Sequence, residues 1–213
     1  QAERAEGLDI GLRVLIGQRQ ACVSASDARP EVLTALAERA VAMAREAPED
    51  PWIGLADPEQ LSETRDADAL ELADPAPEPS PDQLQEDARA AEAAALAVEG
   101  VTQVQSASAG YSWRAVHMAA TNGFSGGYAR SDRGISCVAI AGEGSGMERD
   151  YDGDSRIFHD DLRSADDIGR RAGERAVAAL NPRRPRTGAY PVLFDERISS
   201  SLIGHLLMAA NGA

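Results

Sequence analysis

Between Val101 and Asp152 the chain reads as antiparallel strands, and this stretch constrains the fold more than any other. Asn122-Gly123 and Asp132-Arg133-Gly134 read as hairpin turns, because Asn, Asp and Gly tolerate positive φ. Strands joined by turns this tight pair antiparallel, whereas parallel pairing needs long crossovers. Hairpins dominate over alternating strand–helix units, so the expected class is α+β, with an antiparallel meander packed against helices.

The flanking segments fit that plan. Leu8, Ile10, Leu12, Val14 and Ile16 alternate with more polar residues, which marks a strand with one buried face. Gly17-Gln18 forms a tight turn, and Arg19 to Ala25 returns with Ala21, Val23 and Ala25 on one face. Ser26-Asp27 and Pro30 open a helix that carries Val32, Leu33, Leu36, Ala40 and Met43 and stops by Pro48. From Glu49 to Pro79 the composition turns rich in Pro and Asp, as an ordered connector that Trp52, Ile53 and Leu55 pin to the core.

Ser80-Pro81-Asp82-Gln83 is a capping box with Pro at the first helical position, and Leu84, Ala88, Ala91, Ala95 and Val98 follow as an apolar stripe. Ser164 caps a further helix bearing Ile168, Ala172, Ala176 and Leu180, which Asn181-Pro182 stops. Tyr190 to Phe194 reads as a buried strand, and Asp195 caps a last helix. The ends look cut, since Gln1 is not a start residue and Asn211-Gly212 is a helix stop.

Charge narrows function. The formal net charge is -14, and all 21 basic residues are Arg. Such a surface repels phosphate backbones, so nucleic acid is not an expected partner. The longest apolar helix pattern falls short of the roughly 20 residues that span a bilayer, so no membrane is expected either. A cytoplasmic protein suits this composition, with Cys22 and Cys137 as buried free thiols. Aromatic residues make up only 4%, leaving Ala, Val, Leu and Ile to form most of the core.

Several constellations could carry chemistry. Tyr111, Trp113 and His117 fall on one side of a strand and could line a peptide groove; core packing gives the same pattern. Asp150, Asp152 and Asp154, with Asp161, imitate a calcium loop. However, Ser155 stands where Gly is needed, and the alternative is a solvated acidic edge. His159-Asp160-Asp161 is either a ligand cluster or an acidic approach to the helix that Ser164 caps. Gly142 to Gly146 lacks phosphate-loop spacing and reads as a hairpin connection. Ser112, Ser136 and Ser199 to Ser201 have no His and acid at hydrolase spacing.

Two blocks, TNGFSGGYARSDRGISCVAIAGEGSGMERDYD (Thr121 to Asp152) and GAYPVLFDERISSSLIGHLLMAANG (Gly188 to Gly212), together resemble the TldD/TldE family. Its members are also called PmbA or modulator-of-gyrase proteins. The resemblance runs from about Gly7 to Gly212. It implies 1-187 as the N-terminal and central α+β region and 188-213 as the start of a C-terminal domain. It also implies a two-subunit metallopeptidase whose active subunit carries His-Glu-x-x-x-His. On that register the first His falls on Ser200 and the Glu on Ser201, and only His205 remains. The chain thus resembles TldE, the subunit without the metal motif, with no catalytic and no metal-binding residue of its own.

Zinc is then expected in a TldD-like partner subunit. The implied activity is cytosolic cleavage of short or unfolded peptides; family substrates include a microcin precursor and antitoxins. His205 itself reads as a structural histidine on an apolar helix face. The alternatives are a non-enzymatic peptide-binding or structural protein, alone or as a homodimer, and a metal enzyme using His117, His159 and His205.

Overall fold

A computed structural model describes residues 2–211. The elements are β1 (Ile10–Ile16), β2 (Arg19–Ala25), α1 (Pro30–Glu46), α2 (Pro81–Leu96), β3 (Val101–Ala119), β4 (Ser125–Ala141), β5 (Glu148–Arg156), α3 (Ala165–Ala178) and α4 (Glu196–Ala210). They form two compact units, Gln1–Leu180 and Asn181–Ala213. The arrangement is α+β with antiparallel sheets, as the hairpin pattern requires.

The first unit holds two cores. β1 and β2 pair antiparallel and lay Val23 against Leu36 and Ala40 of α1, with Ile10, Leu12 and Val14 around them. A lone hairpin is marginal in water, so α1 is what makes it stable. Arg19 reaches the C-terminal end of α1 and donates to the carbonyls of Arg45 and Ala47, groups the helix cannot satisfy itself. Leu33 and Met43 stay exposed, and Ala44 is buried instead, because α1 buries only the narrow stripe that faces the hairpin. Cys22 is exposed on the outer face of β2, while Cys137 is buried.

The larger core belongs to the sheet β3-β4-β5. Ile135, Cys137, Ala139 and Ala141 point from β4 toward Ala91 and Ala95 of α2 and Ile168, Ala172 and Ala176 of α3. Burying Ile168 alone contributes about 1.5–3 kcal/mol. Small residues let the two helices touch. A Cβ on Gly169 would lie 2.0 Å from the carbonyl oxygen of Ala91. The Ser80 capping box forms as its sequence requires, with Gln83 N–H donating to Ser80 Oγ and Ser80 N–H to Gln83 Oε1. Ser164 likewise caps α3.

Beyond the exposure of Cys22, Leu33 and Met43, four further expectations change. Asn122-Gly123 is the β3–β4 turn, with Gly123 at φ 91, but Asp132-Arg133-Gly134 lies inside β4. Arg133 pairs there with Tyr111 and Gly134 with Ser155, so ladders on both sides hold the segment extended. Trp52 is 92% exposed and Leu55 is exposed too. Hydrogen bonds pin the connector instead. The N–H of buried Ser131 donates to the Leu72 carbonyl, and its Oγ accepts from Asp74 N–H at 2.8 Å. Arg65 caps the β3–β4 turn through the Gly123 carbonyl and lies over the Phe124 ring.

The acidic run on β5 is not a solvated edge either. Asp152 is 3% exposed and ion-paired with Arg163 and Arg175 from the α3 side. Asp154 pairs with Arg156 and Arg163. Finally, Tyr190 to Phe194 forms no strand, and Leu193 is 99% exposed. A strand needs a partner, and the one regular element among that unit's described residues is α4.

Candidate functional site

β3 is an edge strand. It pairs with β4 on one side only. In an antiparallel ladder roughly every second residue turns its N–H and C=O outward, so an edge presents a row of unspent donors and acceptors. Among the described residues no backbone hydrogen bond reaches the outer edge between Val104 and Ala115.

That edge forms the floor of a groove of about 1120 Å³. One wall is α2, through Leu84, Ala88 and Arg89. The other is the segment Ala2 to Gly7, tethered where Arg4 Nη1 meets Glu78 Oε1 at 2.8 Å. Trp113 projects into the groove and is 58% exposed. Tyr111 and Glu78 also line a second hollow of about 500 Å³, so the two cavities adjoin at these side chains.

The second hollow sits where helix cover gives way to bare ribbon. Asp74, Glu86, Asp87, Arg133 and His159 complete its wall with Tyr111 and Glu78. Arg133 is 12% exposed and donates through Nη2 to Asp87 Oδ2 at 2.7 Å, tying β4 to α2. Its Nε is buried with no acceptor among the described residues. Asp74 accepts the backbone N–H groups of His159 and Ala76, which hold its carboxyl below the ordinary carboxylate range. Burial, then the charges of Glu78 and Asp74, push the Tyr111 phenol above its ordinary value.

The residues singled out from sequence therefore divide. Tyr111 and Trp113 meet at the groove, and Trp113 is not a core residue. His117 lies further along β3, exposed, with Nε2 3.1 Å from Ser125 Oγ. His159 stands in the hollow, and His205 is exposed on α4. No α4 residue is buried among the described residues, so His205 shares the exposure of its whole helix. Glu78, Asp87 and Arg133 were not legible as site residues. Arg133 was hidden inside an apparent turn, and Asp87 only flanks the α2 stripe.

The residues on α4 do not fit a zinc ion. α4 offers Ser200 and Ser201 one turn before His205, and a neutral hydroxyl is a poor zinc ligand. The Ser201 hydroxyl is moreover engaged with the Ile198 carbonyl. No group of three or more His, Cys, Asp or Glu side chains among the described residues is arranged to hold a metal. Among those residues, too, no helix is long and apolar enough to cross a membrane.

Comparison with known proteins places this geometry among relatives. Residues 74–180 match the PmbA/TldA metallopeptidase central domain, and residues 1–44 match domain 1 of the same family. The chain is 32% identical over 204 residues to metalloprotease PmbA of Escherichia coli O157:H7. That match covers 95% of this chain and 45% of the relative, so the chain spans about half the length of the curated relatives it matches. A metalloprotease PmbA homolog of Haemophilus influenzae is 29% identical over the same share.

Among solved structures, one from Bacteroides thetaiotaomicron, described as a modulator of DNA gyrase, superposes with a TM-score of 0.85 at 25% identity. It covers 95% of this chain and 46% of that one. TldE of Thermococcus kodakarensis shares the fold at a TM-score of 0.60 and 21% identity, over 78% of this chain and 36% of that one.

Proposed function

The chain belongs to the PmbA/TldD metallopeptidase family, and on that premise we propose that it serves as the TldE-type subunit of a two-subunit peptidase. What supports this reading is the Ser200-Ser201 pair, which on the register implied by the family resemblance stands where a metal ligand and a general base would be. A zinc peptidase needs imidazole ligands and a carboxylate that activates the bound water. With those missing, catalysis falls to a TldD-like partner bearing His-Glu-x-x-x-His. This chain supplies a wall of the chamber that holds the peptide. The substrates on this reading are short or unfolded peptides, and the compartment is the cytoplasm. The net charge of -14 argues against direct DNA contact, whatever the gyrase name of relatives suggests.

The test is peptide hydrolysis by each subunit alone and by the mixture. This subunit alone leaves an unfolded peptide intact. The TldD-like partner added in equal amount produces cleavage that a chelator stops and that substitution of the partner's Glu abolishes. Robust cleavage by this subunit from a partner-free preparation would overturn the assignment. Peptide binding without any enhancement of the partner's activity would favour the non-enzymatic reading instead.

A further inference from the structure

We infer that the outer edge of β3 and the adjoining hollow form one recognition site for an extended peptide segment with a basic residue at one end. The inference rests on the reading of this chain as a peptide-handling subunit and adds to it a place and a chemical preference. The backbone part follows from the free edge. From Val104 to Ala115 the strand has outward donors and acceptors that no described residue uses, at the floor of a groove open enough for a chain. A strand added there satisfies both backbones at once and makes little demand on sequence. Trp113 offers an exposed ring beside that path.

The preference follows from the hollow at the Tyr111 end. Asp74, Glu78, Glu86 and Asp87 line it against the single guanidinium of Arg133. Arg133 already donates to Asp87, and its Nε is buried, so its one positive charge is partly spent and is outnumbered by the four carboxylates around it. Asp87 spends only Oδ2 on Arg133 and Glu78 only Oε1 on Arg4. Acceptor capacity therefore remains, and the surplus charge is negative. Burial first, and then the charges of Glu78 and Asp74, raise the pKa of the Tyr111 phenol at the mouth of this hollow. A guanidinium or ammonium suits such a pocket, with the Tyr111 ring as a wall. A carboxylate does not.

The experiment is fluorescence anisotropy of this chain, without any partner, against a fluorescein-labelled unstructured decapeptide ending in Arg. Two companions are the same peptide ending in Glu and the Arg peptide with alternate backbone amides N-methylated. The Arg peptide binds at least tenfold more tightly than the Glu peptide, and N-methylation abolishes binding. In the Glu78→Gln/Glu86→Gln double variant, whose side chains are exposed, the Arg peptide weakens to the level of the Glu peptide. Equal affinity for the Arg and Glu peptides, a preference that survives in the double variant, unchanged binding after N-methylation, or no binding at all would each overturn the inference. Because no partner is present, failure here is separate from failure of the two-subunit assignment, which the hydrolysis assay reads.

Discussion

The two ends of the β3–β4 ribbon share one continuous ladder and have opposite surroundings. At the end that includes Ile135, Cys137 and Ala139, α2 and α3 cover one face and exclude water. Past Tyr111 and Arg133 that helix cover ends, and Trp113, Val116, Met118 and Tyr128 are exposed. There the ribbon is braced by the connector, through Asn122 to the Ala56 carbonyl, Arg65 to the turn and Ser131 to Leu72 and Asp74. One end is stabilised by apolar packing and buried charge. The other is held by discrete hydrogen bonds and keeps its faces exposed, while the outer edge of β3 from Val104 to Ala115 runs open across the junction of the two. Pairing alone does not decide what a strand is for; what lies over it does.

The comparison is broken most severely at the covered end. Asp152→Ala leaves Arg163 and Arg175 without their shared buried carboxylate, and removing one partner of such a set costs about 3–5 kcal/mol. Chemical denaturation should show the midpoint falling accordingly. An unchanged midpoint would mean that the arginine cage is ornamental. Next comes Gly169→Ala, whose new methyl meets the Ala91 carbonyl; overpacking of this kind costs about 1–3 kcal/mol. Thermal melting reads it, and a stabilised variant would show that α2 and α3 are not in close contact.

At the braced end, Ser131→Ala leaves the Asp74 N–H without its acceptor, a loss of about 1–3 kcal/mol. Its signature is local: faster proteolysis of the connector before global unfolding. Acid acts on the same brace. The Asp74 carboxyl lies below its ordinary 3.8 in the folded chain because the His159 and Ala76 N–H groups bind its charged form. Its contribution is therefore present above that ordinary value and is lost as pH falls through the depressed one. Connector proteolysis should rise only below about pH 4, and an Asp74→Asn variant should be cleaved readily at neutral pH as well. Cleavage of the parent chain rising near pH 6 instead would assign the brace to a histidine. The smallest effect belongs to Trp113→Ala. As an exposed residue it should change stability by no more than about 0.5 kcal/mol, measured by denaturation, and a larger loss would return it to the core.

Much of the covered end was legible in the residues. The Ser80 and Ser164 caps, the Ala91/Ala95 stripe and the Ile168/Ala172/Ala176 stripe are local patterns, and local patterns survive into the fold. What failed was non-local. Asp132-Arg133-Gly134 has turn composition, yet two neighbouring strands keep it extended. Asp152 looks like solvent-facing acid until Arg163, just before α3, and Arg175 on it reach it from eleven or more residues away. Tyr190 to Phe194 and α4 carry apolar patterns whose partners do not lie among the described residues of their unit. The site was half legible. Aromatic residues at strand spacing pointed to Tyr111 and Trp113, but Glu78, Asp87 and Arg133 converge only through tertiary packing. No spacing in the sequence announces them.

The most direct test of the free edge as a binding surface is hydrogen–deuterium exchange of this chain with and without a saturating Arg-terminated decapeptide. The account predicts that protection appears on outward-facing amides between Val104 and Ala115, while β4 and β5 are unchanged. Protection that avoids β3, or that falls instead on the exposed ribbon face around Val116 and Tyr128, would contradict it.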